Sequence, residues 1–400
     1  MAFFLKRRYG MKSLSGMGKL AIIIFLVSLS SSFNDTIWAV YLDGFLHSAS
    51  LVGFFSGFLS VLAFASSFLF VPWIAKSNKS KLYSFALILT AVFYLIFAIN
   101  KNVFVFMLVS VLVTFTIAIK LTTVGIIIRD ESDKKSISKN EGVIYSFNNV
   151  AWVVGPLIAG FILVELGVSF VFLGSAGLVL LGFLLFRISG INDENKVKKI
   201  KGGAIKNFFE FFRDKDRVLA YFMTSGVTLW WSLIYLYVPL FIINNGLGEG
   251  LIGVFLFLTA LPLIILEYPF SKLAGKKGAK RLFLIAYPLL IAITIAAFFA
   301  SSIYIVLGLL VFGSLALSML EPTTEAYFFD IIKNKKDENR FYGPYSTSIE
   351  TGLIIGKFIP AIILLFLPFK SIFILYSALF LALFILAMKT KLIIEDGKRK

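Results

Sequence analysis

The chain has 400 residues, of which 59% are hydrophobic and only 15% are charged. A water-soluble domain carries about a quarter charged residues, so this composition excludes an ordinary soluble fold. The net charge of +17 would suggest a nucleic-acid-binding protein only if the chain were soluble, and the lack of cysteine excludes disulfides and thiolate metal sites.

Long apolar segments follow one another along the chain. In lipid, only helices and closed β-barrels satisfy every backbone hydrogen bond, and barrel strands alternate over about ten residues. The segments here are continuous and close to the roughly twenty residues that a membrane helix needs. We therefore predict an all-α polytopic membrane protein with twelve transmembrane helices, at about residues 18–41, 50–74, 82–99, 103–128, 142–166, 167–187, 217–243, 249–270, 282–300, 303–329, 343–367 and 368–388.

The basic residues favour one side of the predicted membrane. If the N-terminus is inside, every lysine and arginine except Lys101, Lys120, Lys357 and Lys370 lies in or beside an inner segment. Cytoplasmic loops are enriched in these residues. We therefore predict a multi-pass protein of the inner cell membrane with cytoplasmic N- and C-termini.

The two halves of the chain repeat with a constant offset. Leu51-Val-Gly-Phe-Phe corresponds to Leu251-Ile-Gly-Val-Phe, and Asp130 corresponds to Asp330. We predict an N-terminal six-helix bundle over 1–187, a cytoplasmic linker over 188–216 and a C-terminal six-helix bundle over 217–400. The linker has phenylalanines at helical spacing, which predict a short amphipathic helix on the membrane surface rather than a nucleic-acid patch: Phe208, Phe209, Phe211 and Phe212.

Two motifs accompany the repeat. The fifth predicted helix carries small residues and one proline at regular spacing: Gly142, Ala151, Gly155, Pro156, Ala159 and Gly160. The loop after the eighth helix reads Ser271-Lys-Leu-Ala-Gly-Lys-Lys-Gly-Ala-Lys-Arg. With the repeat, these motifs resemble the major facilitator superfamily over nearly the whole chain. Gly275 departs from the family pattern, which has at this position an acidic residue that helps to latch the halves.

The resemblance implies a fold of two pseudo-symmetric six-helix bundles around a central cavity. It also implies that seven residues affect conformational change: Gly142, Gly155, Pro156, Gly160, Asp130, Asp330 and Gly278. The alternative for the fifth helix is ordinary packing of small residues against the other half.

Ionisable residues within the predicted helices need a reason, because a charge in hydrocarbon costs several kcal/mol. Lys120 and Glu321 share a depth in repeat-related helices, so we predict that they form a charge pair across the cavity. Asp35 lies within axial reach of Lys357, and we predict that it binds a proton or another cation. The alternatives are a static structural pair, and a local contact between Asp35 and Asn34.

Aromatic residues of the first and seventh helices can line an apolar or cation-binding wall. We predict this role for Trp38, Trp231 and Tyr235, with anchoring at the membrane interface as the alternative for the tryptophans. Glu267 lies near the inner boundary, which favours a structural role. A single histidine, His47, and the lack of a phosphate-binding loop argue against an enzyme, a metal site or a cofactor.

These features predict a monomeric secondary transporter that moves a small molecule by alternating access. The leading interpretation is proton-coupled export by an antiporter, because the resemblance links the motif of the fifth helix to proton-coupled exporters. Uptake of a small organic solute, with Lys120 contacting an anionic group, is the first alternative. A non-transporting membrane protein, such as a receptor or a lipid scramblase, is the second.

Overall fold

The computed structural model describes residues 16–130, 137–191, 203–332 and 334–394, which are helical without any β-strand. Twelve helical segments in them are long and apolar enough to cross a membrane. They are numbered here in chain order as spans 1 to 12: Met17–Leu46, Ala49–Leu69, Lys79–Ile99, Val103–Ile128, Val143–Leu166, Val168–Ser189, Lys215–Asn244, Gly250–Lys277, Ala279–Phe299, Ile303–Ile331, Arg340–Ile363 and Ser371–Met388.

Several helices differ in their bounds from the spans that they contain. The helices of spans 1, 4 and 5 are longer: Gly16–Leu46, Val103–Asp130 and Ile137–Leu166. Span 7 consists of Lys215–Ser232, a π-helical turn at Leu233–Tyr237 and Val238–Asn244, and span 11 lies within Lys335–Ser346 and Ser348–Ile363. Two short helices lie outside the spans: Val71–Lys76, and Ala204–Phe211, which we call the linker helix.

The first six spans and the last six pack in the same pattern. Span 1 packs against span 5, span 2 against span 4, and span 3 against spans 4 and 6. The pairs 7–11, 8–10, 9–10 and 9–12 correspond to these in the second half. The halves meet where span 2 packs against span 11 and where span 5 packs against span 8. The predicted fold of two pseudo-symmetric six-helix bundles is therefore confirmed.

The division into 1–187, 188–216 and 217–400 stays a prediction, and residues 192–202 of the linker lie outside the described residues.

Both ends of the described chain lie at one end of the bundle, which we call the terminal end. There, Lys19 Nζ at the start of span 1 donates to the Ser189 carbonyl at the end of span 6, at 3.3 Å.

The opposite end of the bundle is closed by close contacts between the halves. A Cβ atom on Gly160 of span 5 would lie 2.8 Å from Gly253 Cα of span 8. A Cβ atom on Gly253 would lie 2.5 Å from the Pro156 carbonyl oxygen. Nearby, Ser50 Oγ of span 2 donates to the Ala361 carbonyl of span 11 at 2.7 Å. Glycine allows the two backbones to approach this closely, because it has no side chain.

The linker helix joins the halves at the terminal end. Arg340 of span 11 donates from Nε to Asn207 Oδ1 at 2.9 Å and forms an ion pair with Glu210. On the other side, the Phe208 ring packs edge-to-face against Phe64 and Phe68 of span 2, with centroid distances of 6.0 and 5.1 Å. The predicted short helix is therefore present and bridges the two bundles.

Candidate functional site

Five ionisable side chains lie between the two halves, in the space that we call the central cleft. They come from spans 1, 4, 8, 10 and 11: Asp35, Lys120, Glu267, Glu321 and Lys357. The described residues contain salt bridges at the terminal end, but none of them involves these five side chains. Direct ion pairs among the described residues therefore do not neutralise these five side chains.

The first charged group is centred on Asp35. Its Oδ1 accepts a hydrogen bond from Asn34 Nδ2 at 3.2 Å, and its carboxylate interacts electrostatically with Lys357 and Lys120. Lys357 Nζ donates to Ser60 Oγ at 2.9 Å, and its ammonium group also interacts electrostatically with Glu350 of its own span. Because Asp35 lies in the first half and Lys357 in the second, the attraction between them acts across the interface. The predicted neighbourhood of Asp35 and Lys357 is present, as is the local contact with Asn34.

The structure does not form the predicted charge pair between Lys120 and Glu321. Lys120 is only 3% exposed, and its Nζ donates to Ser31 Oγ at 3.4 Å. Its electrostatic interaction is with Asp35 of its own half rather than with Glu321. Axial depth does not fix the direction in which a side chain leaves its helix, and Lys120 faces span 1. A contact with Glu321 in another conformation stays a prediction.

The second charged group consists of Glu321 and Glu267, which interact with each other and lie in the second half. Trp231 contacts the Glu321 carboxylate, whereas Glu321 Oε2 is buried without a hydrogen-bond partner. Asn149 Nδ2 of span 5 donates to Glu267 Oε2 at 3.5 Å. Tyr145 of span 5 faces both carboxylates and yet is 53% exposed. Tyr145 therefore lies at the edge of this group, near the terminal end of span 5.

Tyr235 lies between the two charged groups, since its side chain interacts electrostatically with both Asp35 and Glu321. Its ring centroid is 5.6 Å from that of Trp231 and 5.9 Å from that of Trp152, which packs edge-to-face from span 5. The predicted positions of Trp231 and Tyr235 at the cleft agree with the structure. Their roles in binding stay predictions.

Trp38 packs on one side against an aromatic cluster of the first half. Its ring lies near Phe97 and Phe106, at centroid distances of 6.0 and 6.1 Å, and near Tyr41 at 6.5 Å. Trp38 is half-buried and lies on the same face of span 1 as Asp35. Its role in the wall of the cleft stays a prediction.

Two predicted conformational glycines pack within their own half. A Cβ atom on Gly155 would lie 2.4 Å from Ser32 Oγ of span 1, so Gly155 brings spans 1 and 5 together. Gly278, between spans 8 and 9, has a φ of 87°, which L-residues with side chains rarely adopt. A Cβ atom there would also lie 2.8 Å from the carbonyl oxygen of Ile393, in the segment after span 12.

Five other residues are predicted to affect conformational change. Pro156 and Gly160 lie at the crossing of spans 5 and 8, and Asp330 lies near the end of span 10. Asp130 and Gly142 are in helices, but their surroundings lie outside what the structure describes. All of these conformational roles stay predictions.

Sequence reasoning missed Ser31, Ser60, Asn149 and Trp152. Each is a polar or amphipathic residue in an apolar span, and this is the signal that could have identified them. It also gave Glu267 a structural role, although Glu267 lies beside Glu321. Within the described ranges, no group of three or more His, Cys, Asp or Glu side chains is placed to hold a metal ion.

Sequence comparisons give the following matches. The family model described as Major Facilitator Superfamily matches residues 20–261 and 220–398. Sugar efflux transporter B of Salmonella typhimurium is 23% identical over 350 residues, which cover 84% of this chain and 85% of that protein. An uncharacterized MFS-type transporter of Methanocaldococcus jannaschii is 24% identical over 231 residues, which cover 56% of this chain and 58% of that protein.

Solved structures share the fold at low sequence identity. The nucleoside transporter NupG has a TM-score of 0.75 at 12% identity and covers 94% of this chain and 98% of its own. A POT family transporter in complex with 5-aminolevulinic acid has a TM-score of 0.74 at 14% identity, with coverage of 96% and 97%. A bacterial homologue of the lysosomal transporter Spinster, in an inward-facing and unoccupied conformation, has a TM-score of 0.69 at 15% identity, with coverage of 88% and 83%.

Proposed function

Because the chain belongs to the major facilitator superfamily, whose members are membrane transporters of small molecules and not enzymes, we propose that it exports a small organic solute in exchange for protons. The solute enters the central cleft from the terminal end, which the charge distribution predicts to be cytoplasmic. The two halves then rock so that the cleft opens at the opposite end.

The observation that carries this proposal is the group formed by Asp35, Lys357 and Lys120 at the interface of the halves. One carboxylate of the first half attracts a lysine of the second half, and neither is held in a salt bridge. Protonation of Asp35 removes its negative charge and therefore its attraction to Lys357. A single proton thus changes the free energy of contact between the two bodies that must move.

The opposite-end contacts support alternating access as the mechanism. The crossing of Gly160 and Gly253 closes the cleft at that end, while Tyr145 is exposed at the other end. A transporter of this kind opens to one side at a time, so these contacts have to separate during each cycle. The name of the Salmonella relative, a sugar efflux transporter, supports export as the direction.

Uptake is the second candidate, and it is favoured by Lys120 and Lys357, which have hydrogen-bond donors left over for an anionic group. An anionic solute and Asp35 compete for Lys120 and Lys357, so a proton on Asp35 and a solute on the lysines assist each other. Movement of a proton and a solute in the same direction follows from this coupling. By contrast, a proton and a cationic group exclude each other at Glu321, and exchange follows from that competition.

The test uses purified protein in sealed liposomes with an imposed pH gradient. A mixture of a labelled sugar, a labelled nucleoside and a labelled dipeptide is supplied, because the proteins of similar sequence or fold include a sugar efflux transporter, a nucleoside transporter and a peptide transporter, POT. We expect at least one solute to accumulate against its gradient, and we expect Asp35→Asn to lose this accumulation but to keep exchange of solute for solute.

Asp43→Asn is the matched control, because Asp43 lies in the same span near the opposite end, close to His47. We expect it to transport normally. Accumulation opposite in direction to the proton flow supports export, and accumulation in the same direction supports uptake. Lipid flipping without dependence on any gradient, or equal accumulation by the wild type and Asp35→Asn, contradicts the proposal.

A further inference from the structure

Both lysines of the central cleft belong to one of its two charged groups, and this arrangement restricts the solute. This inference rests on the proposed transport function and concerns the substrate class. Lys120 and Lys357 form the pole that we call positive, where Asp35 interacts with both ammonium groups and Glu350 interacts with that of Lys357. Glu321 and Glu267 form a negative pole that no lysine or arginine of the described chain neutralises through a salt bridge.

The positive pole has unused capacity to bind an anion. Each ammonium group offers three hydrogen-bond donors. Lys120 Nζ uses one of them in a long bond of 3.4 Å to Ser31 Oγ, and Lys357 Nζ uses one in a bond of 2.9 Å to Ser60 Oγ. Lys120 is only 3% exposed, so little water reaches its remaining donors. A carboxylate placed here would satisfy them.

The negative pole has unused capacity to bind a cation. Glu321 Oε2 is buried and accepts no hydrogen bond, which is costly for a polar oxygen. Two neighbouring carboxylates also repel each other, and a cation between them relieves this repulsion. The indole N–H of Trp231 donates a hydrogen bond to the Glu321 carboxylate and so helps to fix its position. The pole therefore has the chemistry of an ammonium site.

The surface between the poles is aromatic. Tyr235 interacts electrostatically with Asp35 at one pole and with Glu321 at the other. Its ring packs against Trp231 of its own half and Trp152 of the first half. Lys120 has no electrostatic interaction with Glu321, so the poles are not adjacent. A solute that reaches both poles needs an apolar segment between its charged ends.

We propose that the central cleft binds a zwitterionic organic solute in an extended form. Its ammonium group lies against Glu321 and Glu267, its carboxylate lies against Lys120 and Lys357, and its carbon chain lies along Tyr235. Such a solute contacts both halves, because Lys120 and Trp152 belong to the first half and Glu321 and Lys357 to the second. Binding then bridges the bodies that move during transport.

The test is thermal stabilisation of the purified full-length protein in detergent by a series of ω-amino acids. The probes are glycine, β-alanine, γ-aminobutyrate and ε-aminocaproate, with hexylamine and hexanoate as analogues that carry one charge each. A ligand that binds the folded protein raises its melting temperature according to its occupancy. We expect stabilisation to increase with the length of the ω-amino acid, and we expect neither single-charge analogue to match ε-aminocaproate.

Two variants locate the binding. Glu321→Gln and Lys120→Met should each weaken the binding of ε-aminocaproate by about ten- to hundredfold, which is the effect of losing a charge-assisted hydrogen bond. Glu165→Gln and Lys101→Met are matched controls, since both residues are exposed near the opposite end of the bundle. Both controls should retain wild-type binding. Melting temperatures without ligand identify any variant that fails to fold. For such a variant, the proposal is judged from the wild-type protein alone, by comparing the ω-amino acids with hexylamine and hexanoate.

Equal stabilisation by hexanoate or hexylamine overturns the proposal, as does stabilisation by neutral sugars or nucleosides without any by the ω-amino acids. These results leave the proposed transport function intact, because proton-driven accumulation of a neutral solute in liposomes is measured separately. Loss of proton-driven accumulation for every solute class, with ε-aminocaproate still binding, would instead contradict the transport function alone.

Discussion

The crossing of spans 5 and 8 allows a quantitative prediction about the closed end. In Gly253→Ala, the new Cβ atom would lie 2.5 Å from the Pro156 carbonyl oxygen and 2.8 Å from Gly160 Cα. Both partners are backbone atoms, so the helices themselves must move apart. Overpacking of this kind costs about 1–3 kcal/mol. In the proposed alternating-access cycle the crossing separates when the opposite end opens, so this cost applies to only one of the two proposed conformations.

The equilibrium should therefore shift toward opening of the opposite end. A cost of about 1–3 kcal/mol corresponds to a roughly five- to 150-fold change in the ratio of the two conformations. Alanine is also a better helix former than glycine, by about 1 kcal/mol. This gain is common to both conformations, since span 8 stays helical, and it cancels in their ratio.

Distances between spin labels measure the shift. Leu51→Cys and Ile362→Cys place labels on spans 2 and 11 at the opposite end, where these residues are 50% and 47% exposed. The chain has no cysteine of its own, so the labelling is specific. In Gly253→Ala we expect the longer distances to gain population. Gly177→Ala in span 6 is the control, because a Cβ atom there meets nothing within 4 Å. An unchanged distance distribution, or the same change in the control, would refute this account of the closed end.

Three further predictions concern the linker helix, the aromatic cluster around Trp38, and Glu249 in the loop before span 8. Phe208→Ala removes two edge-to-face contacts with span 2, each contributing about 0.5–1.5 kcal/mol beyond burial, and should speed proteolysis of the linker helix. Phe209→Ala is its control, because Phe209 is 67% exposed, and equal cleavage of the two variants would count against the bridge. Trp38→Ala should lower the free energy of unfolding by about 3–5 kcal/mol. Loss of ligand affinity in the folded fraction would support the predicted role of Trp38 in the wall of the cleft, and unchanged affinity would contradict it. Burial raises the pKa of Glu249, in the loop before span 8, so this residue favours folding at low pH and loses that contribution as the pH rises through its folded pKa. Glu249→Gln should therefore raise the melting temperature at neutral pH and not at acid pH, whereas an equal shift at both would contradict the effect of burial.

The membrane fold could be predicted because hydropathy and charge act locally. Twelve apolar segments and the position of their basic flanks follow directly from the sequence, and the structure has the same number of candidate spans. The predicted ends of the helices agree less well with the structure than their number does. Span 1 was predicted to end at residue 41 but continues to Leu46, because Tyr41 and Phe45 join an aromatic cluster with Phe106. Such tertiary contacts extend a helix without any signal in its own hydropathy.

The site was predicted in part, since depth along a helix can be counted but rotation around it cannot. Counting placed Asp35 and Lys357 near each other, and the two residues interact electrostatically. It also placed Lys120 opposite Glu321, whereas packing turns Lys120 toward Ser31. Helical rotation depends on which neighbour each face of span 4 meets. Thr116, Lys120 and Thr123 form a polar stripe on one buried face, but this stripe does not identify the span that it contacts.

The position of Tyr235 illustrates a second limit. It lies in the π-helical turn Leu233–Tyr237, which changes the direction of side chains relative to a regular helix. Pro239 follows this turn closely and lacks the backbone N–H that a continuous α-helix would use. A proline can be read from the sequence, but the choice between a kink, a break and a π-turn depends on the neighbouring helices.

The unequal attachment of the linker helix has a consequence for how the chain can be divided. Its polar contacts with Arg340 belong to the second half, whereas Phe208 touches the first half only through ring packing. A protein expressed as two polypeptides, separated between Ile191 and Gly203, would keep this helix on the second piece as a ready-made docking element. The two pieces would then associate through the packing of Phe208 against span 2 and through the contacts between their spans. A covalent connection between the halves would not be needed for their assembly.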